Sequence, residues 1–275
     1  MRLRVDGTEI FAGTGGRTFD PSLPMIVFLH GAGLDHTVWA LLARWFAHRG
    51  FGVLAPDLPG HGRSAGAPLE TIAAMADFTA ALIAAAGAEK AGIVGHSMGS
   101  LIGLETAVRH PKFVTSLGLI ASAAAMPVAP DLLRAAEAND RAAIDMVSVW
   151  GYGFAAGIGG SLAPGAWMFG AGRRLLERAR PGVLFKDLAA CNAYRDGLAS
   201  AAKVAVPATL VLGARDLMTP EKTGRELAAA LSDARVVTLA GAGHMLMSER
   251  PDEVLAALGG VATAAQHTRG RAKAQ

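Results

Sequence analysis

The chain has 275 residues, 52% of them apolar and 18% charged, with a formal net charge of +3. That is enough apolar sequence for one large core, or for one domain carrying an insertion, and it excludes a disordered or fibrous chain. The basic residues are scattered apart from a group between Arg173 and Lys186 and a tail holding Arg269, Arg271 and Lys273; no basic face interleaves with aromatic residues, which argues against a nucleic-acid partner.

Cys191 is the single cysteine, so neither an internal disulfide nor a paired-thiol metal site can form, which fits a reducing cytoplasm. At the N-terminus Asp6 falls where a signal peptide needs its apolar stretch. The uncharged span from Met146 to Gly172 is long enough to cross a bilayer, but its glycines, Pro164 and scarcity of Leu and Ile argue against an integral membrane span.

In chain order, Leu3-Arg4-Val5 and Glu9-Ile10-Phe11 read as short strands around an Asp6-Gly7 hairpin turn. Met25 to Leu29 is a continuous apolar run, the pattern of a strand buried on both faces, and ends in His30-Gly31-Ala32-Gly33. A helical pattern from Val38 to Phe46, a strand Gly52 to Ala55, a helix from about Leu69 to Ala86 and a strand Ala91 to Val94 follow. After Gly95-His96-Ser97-Met98-Gly99 come a helix Leu101 to His110 and a strand Val114 to Ile120. From Ala121 to about Pro181 the rhythm breaks into helical fragments and a glycine-rich run, then resumes. A helix near Phe185 to Leu198, strands Ala208 to Leu212 and Arg235 to Leu239, and helices Pro220 to Leu231 and Pro251 to Leu258 complete the pattern.

Strands alternating with helices at this spacing predict an α/β fold: a mostly parallel central sheet of about eight strands with helices on both faces and a mainly helical cap insertion. The expected organisation is a core of residues 1–121 and 182–263, a cap of residues 122–181 and a disordered tail of residues 264–275.

The Gly95 to Gly99 pentapeptide lies at a strand-to-helix junction, where a tight turn exposes a serine hydroxyl and the small neighbours avoid clashing with adjacent backbone. The N–H of Met98, at the start of the following helix, points toward any oxyanion formed there. A serine needs a base, and the base needs an acid to hold its tautomer. His244 follows the last predicted strand in a glycine-rich loop, and Asp216 follows the strand before it. Asp216 also reads as a cap for the helix at Pro220, and a lone His in such a loop is commonly a solvated surface residue.

Four motifs, His30 to Gly33, Asp57-Leu58-Pro59-Gly60-His61-Gly62-Arg63-Ser64, Gly95 to Gly99, and Gly241-Ala242-Gly243-His244 with Glu249-Arg250-Pro251, occur in an order that resembles the α/β-hydrolase fold superfamily, in particular carboxylesterase-like members with a cap. The resemblance implies Ser97 as nucleophile, His244 as general base and Asp216 as its orienting acid, with the Ala32 N–H as the second oxyanion donor beside Met98. No acid ends the Val114 to Ile120 strand, where some members keep theirs. The same resemblance makes His30 and His61 loop-stabilising groups, and the helix start accounts for Glu249 and Asp252.

Trp150, Tyr152, Phe154, Trp167, Met168 and Met245 are candidates for an apolar substrate pocket, or equally, for those in the cap, the core of a small helical cap. The implied reaction is hydrolysis of small to medium apolar carboxylic esters, with water as co-substrate and neither cofactor nor metal. A carbon-carbon bond hydrolase stays open, although relatives of that type carry Asn and Trp where this chain has His96 and Met245. A non-catalytic ligand receptor on the same fold also stays open.

Overall fold

The computed structural model describes residues 1–160 and 167–272. Strands β1 (Arg2–Val5) and β2 (Thr8–Gly13) pair antiparallel around the Asp6-Gly7 turn, as the dipeptide predicts. Next come β3 (Met25–Leu29), α1 (Ala40–Ala47), β4 (Gly52–Pro56), α2 (Ile72–Ala85), β5 (Ala91–His96), α3 (Met98–Arg109) and β6 (Val114–Ile120). The alternation then stops for α4 (Pro130–Glu137), α5 (Arg141–Gly151), α6 (Phe154–Gly157), α7 (Met168–Glu177), α8 (Val183–Ala193) and α9 (Gly197–Ala201). It resumes with β7 (Ala208–Gly213), α10 (Glu221–Ala230) and β8 (Ala234–Leu239), and ends in α11 (Leu246–Glu249), α12 (Pro251–Ala257) and α13 (Gly259–Ala272).

Among the described residues the strands form one eight-stranded sheet of order β1-β2-β4-β3-β5-β6-β7-β8. β2 pairs antiparallel with both β1 and β4, and the sheet is parallel from β4 to β8. Strands β3, β4, β5 and β7 are buried at every residue, because helices cover both faces. On β3 the side chains alternate between two cores: Met25, Val27 and Leu29 join the cluster with Met75, Leu82 and Leu101, while Ile26 and Phe28 join the one with Trp39, Phe46 and Leu258. Ligands of such sheets bind beyond the carboxyl ends of the strands, and every predicted catalytic residue lies there: Ala32 after β3, Ser97 after β5, Asp216 after β7 and His244 after β8.

The helices between β6 and β7 carry a small core of their own, with Leu132, Ala136, Ala143 and Leu188 buried between α4, α5 and α8. Asp140 caps α5 by accepting the Ala142 N–H at 2.9 Å, and Pro130 opens α4 at a position where a missing N–H costs nothing. Residues 161–166 of the expected cap lie outside the described residues. The helix expected near Phe185 to Leu198 is two helices, α8 and α9.

The tail differs from expectation. Instead of disorder from Ala264 the chain continues as α13 to Ala272. The physical reason is its apolar stripe: Val261 and Ala265, one helical turn apart, are buried in the same cluster as Leu258. Residues 273–275 of that expected tail lie outside the described residues. No helix among the described residues is long and apolar enough to cross a membrane; the described parts of the uncharged span from Met146 to Gly172 include the end of α5, all of α6 and the start of α7.

Candidate active site

Ser97 sits between β5 and α3 with φ 53° and ψ −119°, a strained conformation for a residue with a side chain. The turn is held by the Ser97 N–H, which donates to the Ile120 carbonyl on β6 at 2.9 Å. The glycines are dictated by contact: a Cβ on Gly95 would lie 2.0 Å from the Gly99 oxygen, and one on Gly99 would lie 2.1 Å from the Leu29 oxygen. Met98 is the first residue of α3, so its N–H has no partner within the helix.

Asp216 and His244 meet with 2.8 Å between Oδ2 and Nδ1, both buried. An ionised carboxylate only accepts, so this hydrogen bond places the ring proton of His244 on Nδ1. The carboxylate is anchored on every side: Oδ1 accepts the N–H groups of Met218 and Thr219, each at 2.8 Å, and Oδ2 accepts the Thr219 hydroxyl at 2.7 Å. Burial opposes the charged form of Asp216, yet the His244 ring and these hydrogen bonds together hold its pKa below the usual carboxylate value.

The loop after β3 is fixed by a group the sequence reading did not single out. Asp187, on α8, accepts the Gly33 N–H at 2.8 Å and the His61 Nε2–H at 2.8 Å through the same oxygen, and is completely buried. The neighbouring Ala32 is therefore tied through one residue to the helix that walls the cavity. His61 also donates from Nδ1 to the Pro59 carbonyl at 3.0 Å; burial opposes its charge, but the Asp187 carboxylate raises its pKa overall. His30 is neutral by contrast: Nδ1 donates to the Gly31 carbonyl, Nε2 accepts the Leu58 N–H, and burial with His61 nearby lowers its pKa to about 4. His30 joins the loops at Gly31 and Leu58, as the motifs lead one to expect, whereas His61 also reaches α8 through Asp187. The signal for Asp187 was a lone acid, next to Lys186, in the otherwise apolar run Val183 to Cys191.

Two further contacts fix the loop of His244. The Gly151 carbonyl at the end of α5 accepts the N–H groups of both His244 and Met245, at 3.1 and 2.9 Å. Glu249 accepts the N–H groups of Gly153 and Gly243, each at 3.1 Å. It is a buried clamp between the inserted helices and the histidine loop, not the helix-dipole partner expected from sequence. His96 donates from Nε2 to the His244 carbonyl at 3.0 Å, and burial, with the His244 ring beside it, lowers its pKa to about 3.

Ser97 and His244 line one cavity of about 180 Å³. Of the expected pocket residues Trp150, Tyr152 and Met245 line it, beside Ala32 and, from α7 and α8, Leu176, Leu184 and Leu188. Three predicted pocket residues are elsewhere. Phe154 is 82% exposed, because the short α6 turns Ala156 inward and so leaves Phe154 on the opposite side. Trp167 is 62% exposed and stacks on Phe169. Met168 lines a second cavity, described below. Leu184 and Leu188, one turn apart on α8, were legible as an apolar stripe but lay beyond the expected cap.

Asp35, His36 and Asp57 bring three potential metal-ligand atoms within 4.8 Å of one another. Their atoms are already engaged: Asp57 Oδ1 accepts from the His36 N–H and Nδ1, Asp57 Oδ2 accepts from the Arg63 N–H, and Asp35 pairs with Arg178. The cluster is an internal brace of the loops it joins.

Among known proteins, the pimeloyl-[acyl-carrier protein] methyl ester esterase of Chromobacterium violaceum is 34% identical over 233 residues, covering 80% of this chain and 87% of its own. The protein of the same name from Aromatoleum aromaticum is 30% identical over 258 residues, covering 84% and 94%. Among solved structures, the enol-lactonase from Burkholderia xenovorans superposes with a TM-score of 0.85 at 26% identity, covering 96% of this chain and all of the other. The sequence profile of the Alpha/beta hydrolase family matches residues 26–257. On this match, and on a sheet that carries its serine, acid and histidine at the carboxyl ends of β5, β7 and β8, the chain belongs to the alpha/beta hydrolase family.

Proposed function

We propose that the protein is a serine esterase acting on carboxylic esters with apolar acyl or aryl groups. The observation that carries the reading is the Asp216–His244 hydrogen bond, opening on the same cavity as a serine in a strained strand-to-helix turn. The relatives support it: one group is named for a methyl ester and the enol-lactonase for a cyclic one, so both names have an ester carbonyl in common.

In the first half-reaction Ser97 Oγ bonds to the ester carbonyl carbon while its proton passes to His244 Nε2. The oxyanion is held by the N–H groups of Met98 and Ala32. Collapse breaks the carbon–oxygen bond of the ester, and the proton on His244 goes to the departing alcohol. Water then attacks the acyl-enzyme, His244 takes its proton, and Ser97 Oγ recovers a proton as the acid leaves. Asp216 stays ionised throughout and stabilises the imidazolium.

Ser97→Ala lowers kcat/KM for p-nitrophenyl esters by roughly 10³-fold or more, and a fluorophosphonate labels Ser97 in the wild type. Turnover that survives the substitution overturns the assignment. Labelling without turnover of any ester in a panel favours a ligand receptor.

A further inference from the structure

The cavity over Ser97, at about 180 Å³, is smaller than the roughly 300–1,000 Å³ of ordinary small-molecule sites. A second cavity of about 550 Å³ lies beside it. Tyr152, Gly172 and Met245 line both, so the partition is one layer of side chains thick. That layer includes the residue next to His244.

The wall is built to be thin. A Cβ on Gly172 would lie 2.1 Å from the Tyr152 hydroxyl oxygen, so α7 approaches the ring closely only because it has no side chain there. Met245 supplies the rest, and an unbranched thioether adapts its shape at little cost. Beyond the wall, Val38, Leu175 and the buried Met247 make an apolar interior, while Arg174, Arg178 and Asp252 are exposed at its solvent side. A largely apolar pocket with a polar rim fits a linear chain whose far end reaches water.

We propose that the second cavity is a chain subsite of the same active site, with Tyr152 and Met245 as its gate, taking the distal part of esters whose linear apolar chain outgrows the chamber over Ser97. The proposal rests on the serine esterase reading. It names a substrate class, medium- to long-chain esters, that the chamber over Ser97 alone could not hold.

The test compares p-nitrophenyl decanoate with the butyrate. Ala171, exposed on α7, lines the second cavity and not the chamber over Ser97, and Ala171→Trp lowers the decanoate-to-butyrate ratio of kcat/KM by about tenfold, the worth of burying roughly two methylenes. Met245→Ala raises the same ratio. Both ratios unchanged, in variants with wild-type circular dichroism, overturn the subsite.

Wild-type labelling keeps the test independent of how the variants fold. Alkyl fluorophosphonates of increasing length react with Ser97 at rates that hold level or rise through the dodecyl compound. Labelling confined to short chains overturns the subsite and leaves the esterase reading standing. No labelling at any length, with no ester turnover, overturns both.

Discussion

Asp187 and His61 form a buried ion pair, 2.8 Å between Oδ2 and Nε2, and the same carboxylate oxygen holds the Gly33 N–H one residue from Ala32. An acid on an inserted helix therefore sets the backbone on which one of the proposed oxyanion donors depends. Its other oxygen, Oδ1, has no partner among the described residues, so the pair and the Gly33 N–H carry the whole burden of the buried charge.

Asp187→Asn keeps an acceptor for Gly33 but weakens the hold on His61. A displacement of about 1 Å in the Ala32 N–H is enough to cost roughly 10²-fold in rate, so kcat falls 10- to 100-fold while KM changes little. Asp187→Ala leaves His61 without its counter-charge and lowers stability by about 3–5 kcal/mol. Steady-state kinetics and denaturant unfolding check the two effects separately.

The ion pair also predicts how stability depends on pH. The folded-state pKa of His61 is raised above its ordinary value of 6.5, so between those two values the folded chain binds more protons than the unfolded one. The contribution is fully present below about pH 6.5 and is lost as pH rises through the folded pKa. The groups that govern it are Asp187, Asp57 and the Pro59 carbonyl. Thermal unfolding of wild type and His61→Asn across neutral pH should show this slope only in the wild type.

Thr219 donates its hydroxyl to Asp216 and stands 3.2 Å from His244 Nδ1. Thr219→Val keeps the shape and the backbone N–H but removes that hydroxyl. The expected loss is about 1 kcal/mol of orientation, a five- to tenfold fall in kcat/KM. Thr219→Ser restores it, which separates the hydrogen bond from packing.

Gly95→Ala and Gly99→Ala drive a methyl group into backbone oxygens at 2.0 and 2.1 Å. Neither oxygen can move without dismantling the turn or the end of β3. A cost of about 4 kcal/mol or more lowers the melting midpoint by roughly 10 °C, read by differential scanning calorimetry. A variant melting as the wild type does would show that the turn is looser than its geometry.

What the sequence determined by itself was local or periodic. The continuous apolar run of β3 identifies a strand buried on both faces, the short run of β5 a strand, and Gly95 to Gly99 the turn, since a steric demand at fixed spacing leaves a residue-type signature. Ser97, Asp216 and His244 could each be placed just after an apolar run of strand length, while the roles proposed for them came from the resemblance carried by the four motifs. The tertiary structure decided everything that depends on direction. Phe154 and Trp167 look like pocket residues by type, yet the facing of α6 and the stacking on Phe169 turn them outward. Val261 and Ala265 make a helix of an apparently polar tail, because burial against Leu258 outweighs composition. Asp187 and Glu249 are ordinary acids in sequence; only the approach of α8 to the Gly33 loop, and of Gly153 to Gly243, makes them clamps. Such contacts span 154 and 96 residues of chain, and no local pattern records which distant backbone N–H a buried carboxylate will meet.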